Sequence, residues 1–149
     1  MVENFSGKAP IYDQIVQRIC NQIVRGDIKP GDKLPSVREL AVQYGVNPNT
    51  VKRVYMELDQ LGVSEVHRGQ GTFVTQDQER LDQLREQLKT DKVKTFVLDM
   101  KEMGFGPGEI EKGVQLFLDQ EKEEAPSSGT QKNAERRGSK NKEGGTENE

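Results

Sequence analysis

Asn47, Asn49, Thr50, Lys52 and Arg53 crowd into about two helical turns within the stretch GVNPNTVKRVY, residues 45–55. All five side chains donate hydrogen bonds. Lysine and arginine suit phosphate oxygens, while asparagine and threonine suit base edges, so the chemistry on offer is nucleic-acid recognition. The plainer alternative is a solvated helix end, with Asn47 and Pro48 acting only as a cap. Other chemistry finds less support. With one histidine, His67, and one cysteine, Cys20, there is no cluster at metal-ligand spacing and no internal disulfide. Cys20 reads as a half-buried helix residue, redox sensing being the lesser alternative. No Ser-His-Asp, Cys-His or lysine-centred constellation is available around His67, and Asp82, Glu86 and Glu109 read as solvated helix faces. Neither enzyme activity nor a cofactor or metal is expected.

Charge is unevenly divided. The 149 residues carry a net charge of −3 and are 32% hydrophobic, enough for one ordinary domain and a short appendage. Residues 1–75 hold 9 basic and 8 acidic groups, residues 76–124 hold 8 and 13, and residues 125–149 hold 5 and 4. The acidity therefore belongs to the middle segment, and local placement of Lys and Arg decides what the first segment binds. No run reaches the roughly 18 to 20 apolar residues of a membrane span, and the amino terminus lacks a signal-peptide pattern. A soluble cytoplasmic protein with no membrane partner is expected.

Several elements must position the donors. Ile11, Ile15, Val16, Ile19, Ile23 and Val24 recur at helical spacing after Pro10, and Gly26 ends that helix. Residues 27–35 are turn-rich, with Pro30-Gly31 as a corner and room for a very short strand. Ser36 caps a short second helix, Glu39 completes a capping box, Val37, Leu40 and Ala41 face inward, and Gly45 closes it. Asn47 then caps a third helix with Pro48 at its first position, burying Val51, Val54, Tyr55, Leu58 and Leu61. Asn49, Thr50, Lys52 and Arg53 remain outward, with Asn49 and Arg53 neighbours at a spacing of four. Two short strand-forming runs, Val63 to Val66 and Thr72 to Val74, flank Arg68-Gly69-Gln70-Gly71 as a hairpin. Gly69 and Gly71 let its tip approach a sugar-phosphate backbone, and Arg68 reaches phosphate or minor groove. A plain hairpin, its glycines serving only turn dihedrals, is the bland alternative.

At these residues the chain resembles the GntR family of bacterial transcription regulators. The match runs through GDIKPGDKLPSVRELAVQYGVNPNTVKRVYMELDQLGV and RGQGTFV, covering nearly all of residues 10–75. The resemblance implies an α+β fold: a winged helix-turn-helix DNA-binding domain over residues 1–75, in which Arg38 of the Leu-Pro-Ser-x-Arg block contacts DNA. Carried over by position, recognition-helix contacts fall on Asn49, Thr50 and Lys52, and wing contacts on Arg68, Gly69 and Gly71. Together with Ser36, Asn47 and Arg53, these are the candidate contacts to double-stranded operator DNA. Many members have Ser-Arg where this chain has Asn47-Pro48, so a familiar base-reading arginine is absent and operator sequence does not transfer.

The appendage, residues 76–124, reads as two helices. Residues 78–103 place Leu81, Leu84, Leu88, Phe96, Val97, Met100 and Met103 on an apolar side, with a bend or restart at Thr90-Asp91; residues 109–123 carry Ile110, Val114, Phe117 and Leu118. Two such helices cover their own apolar faces poorly, and a second copy covers them well. This short tail looks like that of the YtrA-type subfamily, which implies dimerisation through Leu84, Leu88, Phe96, Met100, Ile110, Val114 and Phe117. Intramolecular core is the alternative. A small-molecule effector is possible but not indicated by the residues. Residues 125–149 are nearly free of apolar side chains and read as a disordered tail. The expectation is a homodimeric repressor on an inverted-repeat operator. A winged-helix module docking an acidic protein or structured RNA is the alternative from another class, separable by comparing one preferred duplex with a scrambled one.

Overall fold

Gly7 and residues 9–124 are described by a computed structural model of the chain. The expected disorder of residues 125–149 lies outside them. In chain order the elements are α1 (Ile11–Arg25), α2 (Val37–Tyr44), α3 (Pro48–Gln60), β1 (Ser64–His67), β2 (Gly71–Val74), α4 (Gln78–Glu102) and α5 (Pro107–Glu124). The chain divides into two compact units, Met1–Leu98 and Asp99–Glu149.

In the first unit the helix ends follow local chemistry. Pro10 carries no amide hydrogen, and its carbonyl accepts from Asp13 and Gln14, so α1 starts without a side-chain cap. At the other end Gly26 takes φ +92°, a left-handed conformation that costs glycine nothing, and Asp27 N–H returns to the Gln22 carbonyl at 2.9 Å. Ser36 Oγ accepts from Glu39 N–H at 3.1 Å. The capping box is only half made, because among the described residues the Glu39 carboxylate sends no bond back to Ser36.

The core gathers Ile15, Val16, Ile19, Cys20 and Ile23 of α1, Leu34, Leu40, Ala41 and Tyr44 around α2, Val51, Val54 and Leu58 of α3, and Val63 and Val74 of the hairpin. Two expectations change here. Ile11 lies 46% exposed, at the rim of the α1 stripe, and Cys20 is only 1% exposed rather than half-buried. Burial away from water disfavours the thiolate, pushing the Cys20 thiol up to about 11, against a smaller opposing pull from Arg80. A thiol reagent at about pH 8 should therefore modify Cys20 at least about a hundredfold more slowly in the native protein than in urea, since reaction waits on local opening. Comparable rates in the two conditions would place the thiol at the surface.

The hairpin pairs antiparallel in the register Ser64↔Val74, Glu65↔Phe73, Val66↔Thr72, His67↔Gly71. Residues 31–34 join its other edge: Gly31 N–H donates to Val74 O at 3.0 Å, Val74 N–H to Asp32 O at 2.8 Å, and Leu34 N–H to Thr72 O at 2.8 Å, with a bridge between Lys33 and Phe73. The turn-rich segment thus acts as a short third strand. His67 stacks on Phe73 at 4.6 Å and lies 3.3 Å from Glu65. Hydrogen bonds from Thr75 and His67 hold the Glu65 carboxyl below its ordinary range.

α4 begins inside this core. Leu81 and Leu84 are buried in it, so Leu84 serves the chain's own fold rather than facing a second copy, while Leu88 packs against the core and stays partly exposed. The first part of the apolar stripe thus meets an intramolecular surface, while Phe96 further along α4 is 42% exposed. Two arginines reinforce the joint: Arg80 Nε donates to the Leu61 carbonyl at 2.6 Å, and Arg85 to the Val24 carbonyl at 3.2 Å. Each satisfies a carbonyl at a helix end that the helix itself leaves without a partner. The helix runs through Thr90-Asp91 unbroken, so no restart occurs there; neither residue is a helix breaker of the proline kind.

In the second unit, Gly104 at φ +89° and a bond from Phe105 N–H to Met100 O turn the chain after α4. Pro107 is the first residue of α5 rather than part of the corner. Ile110 is buried, whereas Val114, Phe117 and Leu118, on one face at helical spacing, are exposed, as is Leu116.

Candidate nucleic-acid interface

The candidate site is built on the amino-terminal ends of α2 and α3 and on the tip of the hairpin. α3 is anchored by Val51, Val54 and Leu58, each 0% exposed, which turns Asn49 and Lys52 to solvent. Asn47 Oδ1 accepts from Asn49 N–H at 2.8 Å, and its amide hydrogens remain available as donors. Ser36 is similarly engaged through its oxygen and retains its hydroxyl proton. Both helix starts therefore combine exposed donors with the positive end of the helix dipole. Tyr55 ties the two together by donating to the Pro35 carbonyl just before α2. Burial first, then the nearby Glu39 and Tyr44, pushes the Tyr55 phenol up to about 12, which keeps it a donor.

Arg38, Lys52 and Arg68 are exposed, and among the described residues none has a carboxylate at ion-pair distance. Arg53 is placed differently from the expectation. Its guanidinium lies 3.8 Å over the Tyr12 ring of α1 and donates to the Tyr12 hydroxyl at 3.1 Å. Arg53 therefore lies against α1 with one N–H engaged, while the remaining guanidinium donors stay exposed. Tyr12 escaped the sequence reading because it stands 41 residues away.

The two wing glycines have different reasons. Gly69 at φ +76° faces open space and is needed for the tight turn Arg68-Gly69-Gln70, closed by Gln70 N–H to His67 O at 2.9 Å. Gly71 at φ +124° is part of β2, where an added Cβ would meet the Lys33 side chain. Thr50 is half-buried, and its N–H donates to the Asn47 carbonyl at 2.9 Å.

Among the described residues there is no group of His, Cys, Asp or Glu able to hold a metal ion, and no helix long and apolar enough to cross a membrane. Two helices joined through Gly45-Val46-Asn47, with a hairpin directly behind the second, define a winged helix-turn-helix, an α+β fold. Residues 11–74 match the model for bacterial regulatory proteins, gntR family. The chain is 44% identical over 119 residues to the HTH-type transcriptional regulator YhcF of Bacillus subtilis (strain 168), covering 80% of this chain and 98% of that protein. It is 44% identical over 86 residues to the HTH-type transcriptional repressor YtrA of the same organism, covering 54% and 66%. Among solved structures, a GntR family transcriptional regulator from Listeria monocytogenes superposes with TM-score 0.71 at 38% identity, covering 74% of this chain and 97% of that one. The chain belongs to the GntR family, in its short YtrA-type branch, and is a DNA-binding transcription regulator and not an enzyme.

Proposed function

We propose that this regulator is a cytoplasmic repressor that occupies an inverted-repeat operator as a homodimer. One observation carries the reading: Asn49 and Lys52 face solvent at the start of a helix whose opposite side, Val51, Val54 and Leu58, is sealed in the core. Arg38 on α2 and Arg68 on the wing extend that donor surface to either side. Lys52, Arg38 and Arg68 meet phosphates and set position, Asn49 reads a base edge, and Thr50 assists it. Ser36 and Asn47 contribute their remaining donors while capping. Gly69 shapes the wing tip, and Arg53 contributes the guanidinium donors that Tyr12 leaves exposed. The repressor sense comes from the similarity to a regulator named as one, and two copies supply two half-sites.

Binding titrations across salt, on a duplex selected from a random pool and on mismatched versions of it, test the division of labour. Lys52→Ala, Arg38→Ala and Arg68→Ala should weaken all duplexes alike and flatten the salt dependence by about one unit of slope each, with thermal unfolding nearly unchanged. Asn49→Ala should cost roughly 1 to 3 kcal/mol on the selected duplex and relax the preference at one position. Equal losses for Asn49→Ala on matched and mismatched duplexes would remove the base-reading role.

A further inference from the structure

We infer that Lys33, in the turn-rich segment before α2, is a DNA-phosphate contact, and that Gly71 of the wing is the residue that seats it. The inference deepens the DNA-binding reading and rests on it.

The backbone at Lys33 is held on both sides by the wing, through Leu34 N–H to Thr72 O and Val74 N–H to Asp32 O, both 2.8 Å. Successive side chains of an extended segment point to opposite faces. Leu34 enters the core, and Lys33 is turned outward to solvent. Its stem then runs over the bare face of Gly71: a Cβ at position 71 would lie 2.9 Å from Lys33 Cε, 3.6 Å from Nζ and 3.9 Å from Cδ. A side chain at 71 would push the lysine aside. The neighbouring Asp32 accepts from the Lys29 backbone N–H at 2.8 Å and forms no ion pair with Lys33. Among the described residues Lys33 has no ion-pair partner.

Lys33 lines one hollow together with Ser36 and Val37 at the start of α2 and with Gln70 and Gly71 of the wing. Glu39 also lines the hollow, but no ion pair joins it to Lys33 among the described residues, and an ammonium beside a capped helix start favours an anion, since both carry positive charge. The two flanking elements are the proposed DNA-contacting α2 and wing, so the anion available there is a backbone phosphate. A lysine whose stem is held by the glycine face loses less freedom on binding than one free in solvent.

The test uses the full chain and the selected duplex, with Lys52→Ala as the reference. Lys33→Gln keeps the stem over Gly71 and should leave the melting temperature unchanged, yet lower the salt slope by about one unit and weaken matched and mismatched duplexes alike. Lys33→Arg should restore the slope. Gly71→Ala should cause the same flattening in the native background and little more when added to Lys33→Gln. Because alanine is strained at φ +124°, the Lys33 variants decide the contact even if Gly71→Ala fails to fold. An unchanged slope for Lys33→Gln beside a flattened one for Lys52→Ala overturns the inference and leaves the DNA-binding reading standing. Unchanged slopes for both overturn the phosphate contacts assigned in the proposed function. Additive losses for the two changes would remove the seating role of Gly71.

Discussion

The native chain should sediment as a dimer and a Phe117→Asp protein as a monomer, with self-association weakened by at least about a hundredfold, or about 2.7 kcal/mol. Phe117 is 61% exposed, so aspartate there costs the isolated chain little. In a face covered by a second copy, the same carboxylate is buried without a partner, at a cost of several kcal/mol. Operator binding should weaken with it. One recognition helix reads only a few base pairs, and a site of that size recurs too often to be distinctive, so two half-sites must be held together. Analytical ultracentrifugation with titrations on an inverted-repeat duplex decides the matter. A variant that stays dimeric would show that the α5 face has another purpose. The matching truncation ends at Leu98, the limit of the first unit. A fragment cut near Val74 is expected to misfold, because it loses Leu81 and Leu84 from the core and the bonds of Arg80 and Arg85 to the ends of α3 and α1.

Leu58→Ala should remove about 2 to 5 kcal/mol of unfolding free energy, since the side chain is 0% exposed and the space it leaves relaxes only in part. For a domain whose whole stability is of order 5 to 15 kcal/mol, that is a large share. Urea unfolding should show a lower midpoint at an unchanged slope, and the folded fraction at low temperature should still select the same duplex. A loss under about 1 kcal/mol would mean that the core around α3 closes over the gap without strain.

The helix starts and stops were legible because they depend on neighbours in the chain. Ser36, Asn47, Pro48, Gly26 and Gly45 each act within a few residues of their own position. The apolar stripe of α4 was legible as a stripe but not as to what covers it: Leu84 is 3% exposed while Phe96 is 42% exposed, though both lie in the same periodic pattern. Periodicity reports a face, and only the fold reports the surface opposite. The pairs Arg53 with Tyr12, Arg80 with Leu61, Arg85 with Val24 and Lys33 with Gly71 join residues far apart in sequence. No local signal marks them. The exposed donors at the start of α3 were therefore legible, while the contact of Arg53 with Tyr12 and the placement of Lys33 required the packed structure.

In α3 the residues that hold the fold and the residues that face outward are different residues. Val51, Val54 and Leu58 are fully enclosed, and Asn49 and Lys52 touch none of that enclosure's obligations. Pro48 removes one main-chain donor from the first turn and Asn47 occupies another, so the donors left facing outward there are side chains. With Asn49 as the base reader proposed above, substitution at position 49 would change the sequence preferred without disturbing Val51, Val54 and Leu58, which hold the domain together.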